Sequence, residues 1–389
     1  MLVYYSAHDV HASPSFPMHW IKTVFSIDLR SIALFRVTLA SLILFDLVLR
    51  SFNMVDFYTD DGVLPRKYWA QITHRALLSL HAVSGELWWQ ILLFIVAAVF
   101  ACGLLIGYRS KLMAGFSLVM LMSLLNRNGL LLQSGDILLV VMCFWSLFLP
   151  LGARWSVDAA LQPELRENPN IQRYTASNPQ SYFSIATVAV IFQVLYLYFF
   201  TALLKTGAAW RLRFDAAFYA VNLQHFATPI GVFFRQFPKL LEFGTLYVLT
   251  VELFAPLLVL LPLPRRESRV LGIVLLLVLG FYLWPWALLI QHQMLWALIV
   301  PLLLLLPMRW PWTRLVGLAM LISLHVAFLS MLHIGLFPLI DFMSLTLLIP
   351  SIVWVWLASQ RRNNADRIVL YYDIDCGFCL KMCLILREF

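Results

Sequence analysis

The sequence contains a series of apolar runs that are each long enough to cross a lipid bilayer. A helix needs about 20 residues to span a hydrocarbon core of about 30 Å, and in lipid only helices and closed barrels satisfy all their backbone polar groups. Hydrophobic residues make up 62% of the 389-residue chain and charged residues only 12%, whereas soluble domains carry about 25% charged residues. The sequence therefore predicts an all-α polytopic membrane protein and excludes an ordinary soluble fold.

The apolar runs predict about ten transmembrane helices. The predicted spans cover residues 31–50, 88–107, 111–126, 135–151, 182–204, 241–263, 269–287, 290–307, 314–332 and 338–357.

The charges of the short loops predict the orientation of these spans. The loops at 108–111, 264–269, 308–314 and 360–367 are basic, while the loops "WPWALLIQH" and "HIGLFPLID" contain no lysine or arginine. Basic loops stay in the cytoplasm, so ten spans place both termini there. We therefore expect an integral, multi-pass protein in a lipid bilayer, of the bacterial inner-membrane type. The net charge of +8 is scattered between the spans, so no nucleic-acid partner is predicted.

Three parts of the chain differ in composition. Residues 1–30 form an N-terminal cytoplasmic or interfacial segment, in which "MHWIKTVFSIDLR" alternates apolar and basic residues. Residues 31–358 form the transmembrane domain. In residues 359–389, the segment "RIVLYYDIDCGFCLKMCLILREF" predicts a buried strand, a tight turn and a helix. A strand and a helix cannot close a core, so we expect only the truncated start of an α/β thioredoxin-like domain.

Cys376 and Cys379 form a C-x-x-C motif at the start of this last helix. The helix dipole and the free amide groups stabilise a thiolate at the first cysteine, and a C-x-x-C after a strand is typical of thioredoxin-like redox sites. The alternative is half of a zinc site with Cys383 as a third ligand. No second C-x-x-C or nearby histidine completes a tetrahedral set, so we predict a redox pair and no metal.

The first predicted span contains three charged residues, Arg36, Asp46 and Arg50. A charge at the centre of a membrane helix costs about 2.5–3.5 kcal/mol on insertion scales, so each needs a partner or a route to water. Asp46 and Arg50 are four residues apart and can pair on one helix face. Arg36 lies near the cytoplasmic end and can extend its side chain to the membrane surface. We predict that all three are structural.

A second set of polar residues lies at or near the ends of later spans. Asp136 opens the fourth span and either caps the helix N-terminus, where an anion is favoured, or lines an outer pocket beside Asn128. His292 and His325 lie in or at the edge of late spans. A lone histidine there is more often a packing residue than a metal ligand. We keep Asn128, Trp210, His292 and His325 as candidate pocket residues.

Lys205 ends the apolar run of the fifth span, with Trp210 five residues later. One interpretation is an anchor that holds the helix end at the outer membrane surface. The other is a catalytic base, because burial lowers the pKa of a lysine and frees its amine to accept a proton. In that case Trp210 could shield the amine. These residues leave both interpretations open.

Several segments, in order, resemble the HTTM (horizontally transferred transmembrane) domain family, which is related to the vitamin K-dependent γ-carboxylases. The resemblance covers roughly residues 20–355, and its segments are "LFRVTLASLILFDLVLR", "DFYTDDGVLPR", "GYRSK", "NRNGLLLQSGD", "FLPLGARWSVD", "YFFTALLKTGAAW" and "LHIGLFPLIDF". The tail "YYDIDCGFC" resembles the opening of the DCC thiol–disulfide oxidoreductase domain, a thioredoxin relative.

The resemblance implies a catalytic role for Lys205. In the carboxylases, a lysine in a K-x-x-x-x-W segment deprotonates vitamin K hydroquinone, and the product of its oxidation removes a proton from a glutamate side chain. Lys205 and Trp210 fall at that position. The family's functional histidine falls near Gly135, so that it is missing or replaced here, and the adjacent Asp136 becomes a second catalytic candidate. The implied cofactor is a lipophilic quinol, and the implied partner is a protein or peptide substrate.

Three functions follow as hypotheses. The first is a carboxylase-like membrane enzyme that uses a lipophilic quinol, with Lys205 as the base. The second is a redox relay between the C-x-x-C and a quinone in the membrane. The third is a non-enzymatic scaffold or maturation factor, in which Lys205 is only an anchor.

Overall fold

In the part of the chain that the structure describes, the long apolar runs fold into α-helices. The computed structural model describes residues 16–72, 78–161, 171–172, 181–260, 312–362 and 376–388. Its helices are α1 (Phe16–Phe25), α2 (Leu29–Ser51), α3 (Met54–Tyr58), α4 (Arg66–Ile72), α5 (Leu87–Ile106), α6 (Ser110–Arg127), α7 (Ser134–Ser146), α8 (Val157–Leu161), α9 (Ile185–Leu204), α10 (Ala208–Arg211), α11 (Ala216–Asn222), α12 (Pro229–Phe234), α13 (Pro238–Leu260), α14 (Trp312–Met331), α15 (Phe337–Leu345), α16 (Ser351–Arg362) and α17 (Gly377–Glu388).

Five of these helices, α2, α5, α9, α13 and α14, are long and apolar enough to cross a membrane. A sixth candidate is the pair Phe337–Leu348 and Ser351–Gln360, which bends by 87°. Pro350 lies at this bend, where its missing N–H and its ring interrupt a helix. The prediction of an all-α, multi-pass membrane protein is therefore confirmed at this level.

The predicted number of ten spans stays a prediction. The third and fourth predicted spans correspond to α6 and α7, and α7 has only 13 residues. The predicted spans at 269–287 and 290–307 lie outside the described residues.

A small sheet, which the sequence analysis did not predict, joins the chain before α2 to the chain before α9. Its strands are β1 (Ile27–Asp28), β2 (Ile171–Gln172) and β3 (Ser181–Tyr182), and β3 pairs antiparallel with both of the others. Each strand has two residues, so the sheet contributes little to the core. Its effect is to bring the N-terminal ends of α2 and α9 to the same end of the bundle.

Arg36 is completely buried at this end of the bundle. Its guanidinium donates hydrogen bonds to the carbonyl oxygens of Leu151 (3.1 Å) and Trp155, in the turn between α7 and α8. The expectation that Arg36 extends to the membrane surface is wrong. Carbonyl groups beyond a helix end lack helical partners, so they can accept hydrogen bonds from the two terminal nitrogens of the guanidinium inside the protein. The predicted structural role fits these contacts.

The helices around α9 enclose the candidate functional site. α13 packs against both α9 and α14, and α14 packs against α15. The three short helices α10, α11 and α12 follow α9 directly and lead into α13. α11 and α12 pack on α13, and α12 also contacts α14. These short helices therefore cover the space between the C-terminal end of α9 and its neighbours.

Candidate functional site

A cavity of about 600 Å³ lies between α9, α13 and α14. We call it the Lys205 cavity, because Lys205 lines it at the C-terminal end of α9. Most of its wall is apolar, with aromatic rings that include Phe243, Phe328 and Phe337. A cavity of this size is typical of ligand sites, which are about 300–1,000 Å³ and combine apolar walls with a few polar groups.

The helical spacing of α9 brings three polar residues to the cavity. Tyr198, Thr201 and Lys205 all line it, and positions three, four and seven residues apart share one helix face. α9 ends at Leu204, with Lys205 as its C-cap residue. The chain then turns into α10, and the Trp210 ring comes to lie with its centroid 4.7 Å from the Lys205 ammonium. The side chain of Trp210 thus covers the amine, as the sequence analysis considered.

Glu252 on α13 is the direct partner of Lys205. The Lys205 Nζ donates hydrogen bonds to both carboxylate oxygens of Glu252. Both side chains are sheltered, since Lys205 is 16% exposed and Glu252 is 4% exposed. Burial lowers the pKa of the Lys205 ammonium, and the Glu252 carboxylate opposes this effect. Lys205 is therefore part of a buried ion pair in the wall of a cavity.

Sequence reasoning missed Glu252, although a usable signal was present. Glu252 lies in the middle of the predicted span 241–263, where an ionisable residue is a functional candidate by default. The same rule points to Asp341, in the predicted span 338–357. In the sequence analysis this rule was used for the charges of α2 but not for the two acidic residues on α13 and α15.

A second polar group in the Lys205 cavity is formed by Tyr198 and His325. The Tyr198 hydroxyl lies 2.9 Å from Nε2 of His325, and both residues line the cavity. His325 Nδ1 lies 3.6 Å from Oδ2 of Asp341, which is fully buried on α15. Within the described residues, neither of these two atoms has a hydrogen-bond partner at shorter range. His325 was a predicted pocket residue, whereas Tyr198 and Asp341 were not.

Asp136 lies in a different cavity from Lys205. This second cavity, of about 230 Å³, is lined by Asp46, Arg50 and Asp136, and we call it the Arg50 cavity. Arg50 donates to Asp46, as the spacing predicts, and also to Asp136 at 2.6 Å. Asp136 accepts the Gln133 N–H at 2.9 Å in a capping box. Its carboxylate therefore acts as a helix cap and an ion-pair partner, and the structure does not bring it to Lys205.

Two further predicted pocket residues, Asn128 and His292, remain to be placed in the structure. Asn128 accepts the Leu130 N–H and donates to the Phe57 carbonyl. It lines neither the Lys205 cavity nor the Arg50 cavity, and its role as a pocket residue stays a prediction. It holds a loop together, because its short amide can bond to the nearby backbone. His292 lies outside the described residues.

Cys376 and Cys379 lie at the start of α17, as predicted for the helical part of the motif. The backbone N–H of Cys379 donates to Sγ of Cys376 at 3.3 Å. Hydrogen bonding from the Cys379 side chain, together with this backbone bond, lowers the pKa of Cys376. α17 packs against α8. The predicted strand at 368–372 lies outside the described residues.

Taken together, the Lys205 cavity can hold a weakly acidic hydroxyl group and accept its proton. For a hydroxyl group bound there, the Glu252 carboxylate could accept a proton and the Lys205 ammonium could stabilise an oxyanion, and the apolar surroundings would strengthen both effects. Comparisons of the chain with protein-family models, with curated proteins and with solved structures found no match. The geometry of this cavity is therefore the basis for assigning a function.

Proposed function

We propose that this chain is a carboxylase-like membrane enzyme that binds a lipophilic quinol of the vitamin K type in the Lys205 cavity, with Lys205 as the base. One observation carries the proposal. The Lys205 amine is part of the wall of a largely apolar cavity of about 600 Å³ and is held there by Glu252. A surface anchor would need neither the cavity nor the buried carboxylate.

The cavity fits a lipophilic ring compound in size and in chemistry. Its volume lies within the usual range for ligand sites, and the rings of Phe243, Phe328 and Phe337 can pack on an aromatic face. Polar groups are few and, apart from the hydroxyl groups of Thr201 and Tyr247, lie at two places, the Lys205–Glu252 pair and the Tyr198–His325 pair. When bound, a quinol would supply an acidic hydroxyl group on a reduced ring.

The ion pair gives this chain a way to move the hydroxyl proton. Glu252 can take a proton from the Lys205 ammonium, and the free amine can then accept the proton of the hydroxyl. The net result is a protonated Glu252, with the Lys205 ammonium facing the oxyanion, so that total charge is unchanged. Trp210 covers the ammonium and limits access of water, which keeps the pair sheltered.

The proposal includes the finer membrane topology. It assigns the chain ten spans with both termini in the cytoplasm, in a bacterial inner-membrane type of setting, and it assigns the HTTM domain to residues 31–358. In that orientation the C-terminal end of α9 and the Lys205 cavity face the outer side. The ordered set of segments quoted above and the basic short loops support this assignment.

The proposal is tested with purified protein in detergent or lipid nanodiscs. Any quinone that co-purifies is extracted and identified, and epoxidation of vitamin K hydroquinone is measured. We expect Lys205→Ala to abolish epoxidation. Lys205→Arg should do the same, because a guanidinium does not release its proton near neutral pH, whereas an anchor would tolerate this change.

Lys239→Ala is the matched control for these variants. Lys239 also carries an ammonium paired with a glutamate, Glu242, but its side chain is 83% exposed. We expect full activity from this variant. Wild-type activity in Lys205→Arg, or wild-type protein that neither contains a quinone nor oxidises the hydroquinone, would refute the proposal.

A thiol–disulfide relay through Cys376 and Cys379 is the second candidate, and the hydrogen bond to the Cys376 sulfur favours it. The dithiol is far from the Lys205 cavity. α17 packs on α8, which lies with Arg36 at one end of the bundle, and Lys205 lies at the other end of α9. The dithiol and the Lys205 cavity are therefore separated by roughly 20–30 Å, about the length of a membrane-spanning helix such as α9. Quinol oxidation that persists in Cys376→Ser would exclude the relay as its route.

A further inference from the structure

The Arg50 cavity is a second space inside the bundle that the proposed function does not use. Its volume is about 230 Å³, whereas one water molecule needs about 10–15 Å³, so it has room for a ligand of several non-hydrogen atoms. Its polar side chains are all different from those of the Lys205 cavity, although Phe337 lines both. Its apolar wall consists of Leu49, Phe57, Leu131, Leu336, Phe337 and Ile340.

The charged side chains that line this cavity in the described residues are Asp46, Arg50 and Asp136. Both oxygens of Asp46 accept hydrogen bonds from Arg50 Nε, at 2.9 and 2.7 Å. Oδ1 of Asp136 accepts from Arg50 Nη2 at 2.6 Å, and its Oδ2 accepts the Gln133 N–H at 2.9 Å. Carboxyl groups that use both oxygens as acceptors are in the ionised form. Two carboxylates against one guanidinium leave one excess negative charge, which favours a cation in the cavity.

Tyr58 adds a hydrogen-bond donor to the same wall. Its side chain lines the cavity and is only 1% exposed. The hydroxyl oxygen accepts a hydrogen bond from Arg50 Nη1 at 3.1 Å, so the hydroxyl proton needs a different partner. Among the groups that the structure describes, none accepts this proton. A buried donor without an acceptor is costly, and it therefore indicates where an acceptor atom of a ligand would lie.

We propose that the Arg50 cavity binds an organic ammonium ion that carries a hydroxyl oxygen close to its charged nitrogen and an apolar body. Asp46, Asp136 and Tyr58 all contact one guanidinium, so their groups lie within a few ångströms of one another. The ammonium donates to the remaining carboxylate lone pairs, and the oxygen accepts the Tyr58 proton. Aromatic rings in the wall also attract a cation. This site is separate from the proposed quinol site and needs none of its polar residues.

The test compares three ligands of nearly the same shape. They are 2-amino-1-phenylethanol, 1-phenyl-1,2-ethanediol, in which a hydroxyl group replaces the ammonium, and 2-phenylethylamine, which lacks the hydroxyl group. Binding to the full chain in phosphatidylcholine nanodiscs is measured at pH 7 by calorimetry, with empty nanodiscs as the blank. We expect the amino alcohol to bind about ten- to a hundredfold more tightly than the diol, because hydrogen bonds to charged groups are the strong ones. It should bind about two- to tenfold more tightly than the amine, through one neutral hydrogen bond.

Two variants separate the two contacts. Asp46→Asn removes the excess negative charge and leaves Arg50 paired with Asp136, so it should lose the preference for the amino alcohol over the diol and keep its affinity for the diol. Tyr58→Phe should lose only the preference over 2-phenylethylamine. Asp61→Asn is the matched control, because it removes a carboxylate at an exposed position, and it should keep both preferences. A purely structural role would weaken all three ligands together.

The inference is overturned if the amino alcohol does not bind, if it binds no more tightly than the diol, or if Asp46→Asn keeps the full preference. Asp136→Asn makes the same change of charge and replaces Asp46→Asn if that variant does not fold. Because no quinone takes part, failure of the quinol chemistry would leave this inference standing. A repeat in nanodiscs with phosphatidylethanolamine identifies the source of the natural ligand. Weaker apparent binding there assigns the site to a lipid headgroup, and unchanged binding assigns it to a soluble amino alcohol.

Discussion

Replacing Glu252 with glutamine tests whether the Lys205 ammonium is sheltered as the geometry indicates. Glutamine has nearly the same shape as glutamate but no charge, so Glu252→Gln removes the counter-ion and leaves the ammonium in the cavity wall. Lys205 is only 16% exposed in this pair. Removing one partner of a buried ion pair is strongly destabilising, typically by about 3–5 kcal/mol.

The ordinary pKa of lysine sets an upper limit to this cost. The amine can avoid an unpaired charge by releasing its proton, which costs about 1.4 kcal/mol for each pH unit below its ordinary pKa of 10.5. At pH 7 the limit is therefore about 5 kcal/mol. The Trp210 ring and the remaining exposure still stabilise the ammonium, by about 1–2 kcal/mol. We expect a loss of about 3 kcal/mol, or roughly a 150-fold increase in the unfolding constant.

The pH dependence has a definite sign. Without Glu252, burial lowers the pKa of Lys205 in the folded state while its value in the unfolded state stays ordinary. The free energy of unfolding of Glu252→Gln then decreases as the pH falls below 10.5, the ordinary pKa of lysine. The destabilisation relative to wild type is therefore smaller at higher pH. At pH 9 the upper limit of the destabilisation caused by Glu252→Gln is about 2 kcal/mol.

The assay is reversible unfolding in mixed micelles at pH 7 and pH 9. Glu242→Gln is the control, because Glu242 forms an exposed pair with Lys239 on the same helix, and such pairs contribute at most about 1 kcal/mol. The double variant Lys205→Met, Glu252→Gln contains no unpaired charge and should recover most of the loss. A Glu252→Gln stability equal to wild type at pH 7, or a loss that grows at pH 9, would refute the reasoning.

Three further predictions concern residues outside the membrane-spanning helices. Because hydrogen bonds from Cys379 lower the pKa of Cys376, alkylation of Cys376 by iodoacetamide should be half-maximal below the ordinary thiol pKa, and Cys379→Ala should raise that midpoint. Burial lowers the pKa of His81 to about 4, so acidification from pH 6.5 to pH 4 should lower the free energy of unfolding by about 3 kcal/mol. His81→Asn should not show this contribution to the acid-induced loss. Asp158 accepts the Arg109 and Ser110 N–H groups at the start of α6, so Asp158→Ala should cost about 1–2 kcal/mol in unfolding titrations, whereas Asp61→Ala at an exposed site should cost little.

The features that sequence reasoning recovered are local ones. Asp46 and Arg50 pair within one helix, and Asp136 caps the helix that it opens. Trp210 covers the lysine that lies five residues before it. In the first two cases the partners lie within about one helical turn, so helical periodicity and capping rules determine their contact without knowledge of the fold. In the third, the two residues are close enough in sequence for one turn of the chain to bring them together.

The features that it missed join distant parts of the chain. Lys205 and Glu252 are 47 residues apart, and Tyr198 and His325 are 127 residues apart. The buried position of Arg36 depends on a loop more than 100 residues away. Hydropathy shows that a charge inside a helix needs a partner, but it does not show which face of which neighbouring helix supplies that partner.

The sequence by itself determined that this chain lies in a membrane as a set of helices. That conclusion follows from composition and run length, because hydrocarbon leaves backbone groups no partner outside the helix. Only the tertiary structure decided that Lys205 meets Glu252 at a large apolar cavity, and that Asp136 belongs to a separate one. Helix packing sets these contacts through the rotation and tilt of each helix, and many arrangements satisfy the same hydrophobic pattern.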